Sequence, residues 1–106
     1  MGPQLTIVSV PGDPGCLAVF GEIDICTAPG LRGGLRGAVQ AAPRGAAVMV
    51  DLSAVNFIDA RGLSALVEAE AYASVRGIHL VFSGVSAGIT RLLTITGLNL
   101  RGSVVS

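Results

Sequence analysis

The chain has 106 residues, one domain's worth. It is 51% hydrophobic and 13% charged, which excludes a disordered chain. Seven arginines balance seven acidic residues and there is no lysine. A balanced charge gives no overall electrostatic footprint for nucleic acid or an anionic membrane. Without lysine there is no Schiff base, no Walker A phosphate loop and no Ser–Lys dyad. One histidine, His79, and two cysteines, Cys16 and Cys26, are too few for the usual Cys/His zinc site. No metal and no cofactor is expected.

Leu5 to Val10 is a strand-forming run halted by Pro11-Gly12-Asp13-Pro14-Gly15. Cys16 to Phe20 follows as a second strand, and the five turn residues between them predict a hairpin. Gly21-Glu22-Ile23-Asp24 leads toward a helix with Thr27 as its cap and Pro29 in its first turn. Leu31, Leu35, Ala38, Val39 and Ala42 share one face of that helix, and Arg32 and Arg36 lie on another. Gly30, Gly33, Gly34 and Gly37 weaken it by roughly 1 kcal/mol each relative to alanine. The tandem Gly-Leu-Arg-Gly they belong to is read as a helix that must pack closely, not as a repeat architecture.

Pro43-Arg44-Gly45 ends the helix, and Ala46 to Leu52 has the pattern of a strand buried on both faces. Ser53 to Asp59 is read as a loop with apolar anchors. From Gly62 to Arg76 the pattern is helical, with Leu63, Leu66 and Val67 on one face and Gly77 as the stop. Ile78 to Phe82 is a strand, and Ser86 to Thr94 a short helix with Ile89, Leu92 and Leu93 inward. Beyond Gly97 there is room for a short edge strand around Val104-Val105. The order β-β-α-β-α-β-α-β predicts an α/β fold: a mixed sheet of four to five strands with helices packed against it. No apolar stretch reaches the ~20 residues of a spanning helix, no signal peptide is evident, and a cytoplasmic chain with no direct membrane insertion is expected.

Catalytic constellations are scarce. His79 sits in the middle of an apolar strand, next to Leu80 and Val81, and no Gly-x-Ser-x-Gly elbow exists. Glu68 and Glu70 are two apart on a helix and do not face the same way. Cys16 and Cys26 lack Cys-x-x-Cys spacing, and buried packing is the default for Cys16. Glu22 and Asp24 sit together where a strand ends. Asp51 ends another strand, and Asp59 stands just before a helix, where its carboxylate can accept free backbone N–H groups and favour the positive dipole end.

These spaced elements resemble the STAS domains, in particular the bacterial anti-sigma factor antagonists. Gly21-Glu22-Ile23-Asp24 is similar to the family's Gly-Glu-Leu-Asp element. Asp51-Leu52-Ser53, Val55 and Phe57-Ile58-Asp59 are similar to its central signature, followed by Gly62-Leu63. Arg91-Leu92-Leu93 and Thr96-Gly97-Leu98 resemble the region of a later helix. The resemblance spans nearly the whole chain and implies a single STAS domain over residues 1–106, with its working surface at the Asp-x-x-Gly loop and the helix after it.

The resemblance further implies a regulatory binding protein and no enzyme. In the family the antagonist binds an anti-sigma factor that is also a serine kinase, which frees the sigma factor; phosphorylation of a Ser or Thr directly after the loop aspartate ends binding. Here that position is Ala60 and the next is Arg61, so the motif position has no hydroxyl to accept phosphate. The expected docking surface comprises Asp24, Asp59, Ala60, Arg61 and Ser64. Arg61 places a positive charge near a positive dipole end, at a cost of about 0.3–1 kcal/mol that a partner carboxylate could offset; the alternative is that Arg61 simply snorkels into water. The alternative from another class is a STAS accessory subunit of a membrane transporter, since fold alone does not decide function. A nucleotide- or lipid-binding STAS scaffold is a third reading without specific support in the residues.

Overall fold

The computed structural model describes residues 5–96, the side chains of Pro14 and Leu93 excepted. The elements are β1 (Leu5–Val10), β2 (Asp13–Ile23), α1 (Ala28–Ala41), β3 (Ala47–Ile58), α2 (Ala60–Val75), β4 (His79–Ser83) and α3 (Ala87–Thr96). They form a four-stranded sheet in the order β1-β2-β3-β4. The mixed sheet with packed helices is the expected α/β architecture. The edge strand expected around Val104-Val105 lies outside the described residues.

β1 and β2 pair antiparallel, with Ile7 opposite Val19 and Val10 opposite Asp13. The turn is therefore shorter than the five residues expected. Gly12 takes a positive φ of 79°, which only glycine adopts without strain. β2–β3 and β3–β4 are parallel, because a helix carries the chain back between them. Both crossovers advance in the same direction along the sheet, so connections of one hand put α1 and α2 on one face.

That face is the core. Leu17, Val19 and Ile23 of β2, Val48, Val50 and Leu52 of β3, and Leu80 and Phe82 of β4 alternate inward. They meet Leu31, Leu35 and Val39 of α1 and Leu63, Leu66 and Ala73 of α2, all buried. The helical face expected around Leu31 to Val39 is thus the packed one. Ala38 and Ala42 are partly buried at its rim. In α3, Ile89 is buried and Leu92 partly so.

Four expectations are corrected. β3 is not buried on both faces: Met49 and Asp51 point away from the helices and are half-exposed, because no described helix covers that side. Ser53 to Ile58 is strand, not loop. β2 continues beside it, so its backbone groups find ladder partners as far as Ile23 opposite Ile58. Of the four α1 glycines only Gly34 is closely packed. A Cβ there would lie 2.6 Å from Ile7 Cδ1, whereas Gly30, Gly33 and Gly37 face open space. Finally, Thr27 occupies the N-cap position of α1 but its side chain does not cap the helix; it turns back to the end of β2.

Candidate partner-docking surface

The parallel register places Ile23 beside Ile58, so the residues that follow them, Asp24 and Asp59, leave the same edge of the sheet. In open α/β sheets this carboxyl edge is where ligands gather. Each aspartate organises the turn into the next helix. Asp24 Oδ1 accepts the N–H groups of Cys26 (2.9 Å) and Thr27 (3.0 Å). Thr27 Oγ1 accepts the Asp24 N–H at 2.9 Å and donates to the Glu22 carbonyl at 2.8 Å. A buried hydroxyl is thereby satisfied on both sides, and the turn is cross-braced.

Asp59 is the N-cap of α2. Its backbone is extended, and its Oδ1 accepts the Gly62 N–H at 2.9 Å, as expected from its place before the helix. Its own N–H donates to the Ile23 carbonyl at 3.1 Å, so the two turns are joined through β2. Gly62 is buried against the same carbonyl. The Asp-x-x-Gly spacing is therefore two structural demands, an acceptor for the first turn and a residue without Cβ where that turn meets β2.

Between these fixed points, Ala60 and Arg61 open α2 and are exposed. Ser64, half-exposed, follows Arg61 by three positions and precedes Glu68 by four, which aligns them on one helix face. Glu68 pairs with Arg32 of α1 at 3.2 Å. The structure thus brings Asp24, Asp59, Ala60 and Arg61 to one edge, with Ser64 one turn along.

Two apolar side chains at this edge escape sequence reasoning: Ile25, 58% exposed, and Phe57, 51% exposed. Phe57 pairs with Glu22 and points away from the core: the two one-residue shifts in the β2–β3 ladder cancel, so it keeps the outward side of Met49 and Asp51. A groove of about 210 Å³ beside Phe57 runs to the start of α3, lined also by Val55, Ser86 and Ile89. Ser86 Oγ accepts the Ile89 N–H there at 3.2 Å.

The Asp51-Leu52-Ser53 element has a different role. Asp51 Oδ1 accepts the Ser53 N–H at 2.9 Å, and the Ser53 amide and hydroxyl hold its carboxyl below the ordinary 3.8. Gly84, at φ 68°, packs so closely on Ser53 that a Cβ would lie 2.7 Å from it. This contact stands where β4 ends and β3 runs on. Burial, with Asp13 and Asp51 nearby, pushes the Cys16 thiol up; Cys16 is half-exposed on the outer face of the sheet rather than buried, and Cys26 is exposed. His79 is exposed at the start of β4, not mid-strand. Among the described residues no cluster of His, Cys, Asp and Glu could hold a metal, and no helix is long and apolar enough to cross a membrane.

A family model described as "Mlab, STAS domain" matches residues 7–105. The chain belongs to the STAS domain family. This STAS domain is 37% identical over 81 residues to the anti-sigma-B factor antagonist of Listeria monocytogenes, covering 76% of the chain and 69% of the relative. An anti-sigma factor antagonist from Mycobacterium paratuberculosis has a similar structure, with a TM-score of 0.61 and 27% identity over 97% of this chain and 85% of that one. A sulfate transporter family protein from Wolinella succinogenes is similar too: TM-score 0.65 and 27% identity, over 84% and 73% of the respective chains. The domain is thus related to anti-sigma factor antagonists, as its motifs indicate.

Proposed function

We propose that this STAS domain, acting as a single unit in the cytoplasm and without enzymatic activity, binds an anti-sigma factor and so frees a sigma factor. The observation that carries the reading is the exposed start of α2, Ala60 and Arg61, held between two braced aspartates at the carboxyl edge of the sheet. Its relatedness to the Listeria antagonist supports the class of partner. Asp24 and Asp59 position the surface, and Arg61, Ser64, Ile25 and Phe57 supply its contacts. Exposed apolar groups flanked by charge suit a protein partner.

The family's switch would place a phosphate directly after the loop aspartate. Ala60 has no hydroxyl, so the domain stays binding-competent even when its partner is a serine kinase. The test is calorimetric titration of the cognate anti-sigma factor with wild type and Arg61→Glu, alongside release of the sigma factor. Saturable binding that Arg61→Glu weakens by about tenfold or more supports the reading. Equal binding by the folded variant rejects the surface, and no release of sigma factor rejects the role.

The likeness to the sulfate transporter family protein supports a second reading, an accessory subunit of a membrane transporter. Co-purification with a permease from native membranes, with no anti-sigma factor bound, would favour it.

A further inference from the structure

Glu22, Asp24, Asp59 and Arg61 lie at the carboxyl edge of the sheet, while Arg44 and Arg76, with Asp13 at the start of β2, lie at the opposite pole, where α1 and α2 end and β3 and β4 begin. An open groove of about 430 Å³ there is lined by Val39, Ala42, Ile78 and Val75 together with both arginines. Val75 is 88% exposed. We propose that this groove binds an acidic protein segment carrying an apolar side chain, at a surface separate from the α2 N-terminus.

The arginines are held in place. Tyr72 carries Arg36 on its ring at 4.7 Å and Arg76 at 5.6 Å, and its hydroxyl accepts from Gln40 at 3.0 Å. The Arg44 stem lies against Gly77, and the Gly45 N–H donates to the Gly77 carbonyl at 2.9 Å. Both loops are thereby tied together. Among the described residues, Arg36, Arg44 and Arg76 have no carboxylate within salt-bridge distance, and no acidic residue lines the groove.

Helix ends do not account for this charge. Each C-terminus contributes about half a negative charge, so α1 and α2 together offset roughly one of the two positive charges that line the groove. The remaining charge suits an acidic partner. The floor is apolar and continues past Ala42 into a second groove of about 300 Å³, lined by Leu17, Ala38, Pro43 and Val48. A compact anion would leave that floor open, and a flat membrane surface would not enter it. An extended acidic segment with an apolar anchor matches both the charge and the concavity.

The test is a titration of the full chain, followed by amide NMR, with a short glutamate-rich peptide bearing one central leucine. Parallel arms use its lysine-rich counterpart, inorganic phosphate and phosphatidylserine vesicles. The expected result is saturable shifts at Val39, Val75 and Ile78 with the acidic peptide. Binding should weaken about tenfold or more in Arg44→Glu/Arg76→Glu, and less in Arg44→Gln/Arg76→Gln, whose thermal melts report folding. Arg61→Glu should leave this binding unchanged, which keeps the result independent of the anti-sigma factor reading. No saturable shift, indifference to the Arg44 and Arg76 substitutions, or an equal response to phosphate or vesicles would overturn the proposal.

Discussion

Ile23 and Gly62 meet backbone to backbone. A Cβ at residue 62 would lie 2.5 Å from the Ile23 carbonyl oxygen and 2.9 Å from its carbon. That carbonyl also takes the Asp59 N–H, so the end of β2 serves as the seat on which α2 begins. The exposed pair Ala60 and Arg61 therefore sits on a helix start fixed by this contact.

Gly62→Ala should destabilise the domain by about 1–3 kcal/mol, because the obstruction is strand backbone and cannot rotate away. Gly33→Ala should act oppositely. It faces open space inside α1, and alanine is favoured there by up to about 1 kcal/mol. Urea denaturation of the two variants measures both signs. A neutral Gly62→Ala would mean that α2 can shift off β2.

Asp59→Ala should cost about 0.5–2 kcal/mol, the usual penalty for a lost N-cap acceptor. Asp59→Asn keeps an acceptor and should cost much less. If Asp59 also positions the docking surface, the alanine variant should lose more partner binding than its loss of folding explains. Melts and calorimetry on the same samples separate the two effects.

Incubated with ATP and a kinase-type anti-sigma factor, the native chain should gain no phosphate mass on the peptide spanning Asp59 to Leu63. Ala60→Ser creates a hydroxyl at an exposed α2 N-terminus, where the dipole tolerates the added −1.5 to −2 charges while a docked partner would not. That variant should become a substrate and lose binding when modified. Phosphate on Ser53 or Ser64 of the native chain, with loss of binding, would show that the switch has moved.

Acid should remove a contribution made by Asp51. Its folded carboxyl is held below 3.8 by the Ser53 amide and hydroxyl. The stabilisation is therefore fully present above the unfolded carboxylate range and fades as pH falls through the lower, folded value. Asp51→Asn should be less stable than wild type at neutral pH, and the gap should close in acid. Denaturation curves across the acidic range test this; a gap that persists at the lowest pH would assign the effect to shape rather than charge.

The thiols should form no bridge within one chain. Cys16 lies early in β2 and Cys26 beyond its end. Seven strand steps of about 3.3 Å separate Cys16 from Ile23, about 23 Å, far beyond the ~7 Å limit between bridged Cα atoms. Cys16→Ser/Cys26→Ser should fold and bind as wild type does. With the wild type, a thiol reagent should label Cys26 before Cys16, whose thiol burial and nearby carboxylates hold in the protonated form. Simultaneous labelling would contradict that order.

The sequence alone determined the element order as far as α3, the inward faces of α1 and α2, and the capping role of Asp59, because these depend on local periodicity and on chemistry within a few residues. It also located the Asp-x-x-Gly segment, which the structure places at the first turn of α2, and the absence of a hydroxyl at Ala60. Tertiary structure decided the rest. The strand character of Ser53 to Ile58 depends on β2 running alongside, a pairing between distant residues. The outward turn of Phe57 follows from that strand character, which puts it on the side of Met49 and Asp51. Gly62 is required by the Ile23 backbone, while Gly33, identical in residue type, is not. The meeting of Arg36 and Arg76 on the Tyr72 ring, and of Arg44 and Arg76 in one groove, arises only when α1 and α2 end side by side, which composition, with its net charge of zero, conceals.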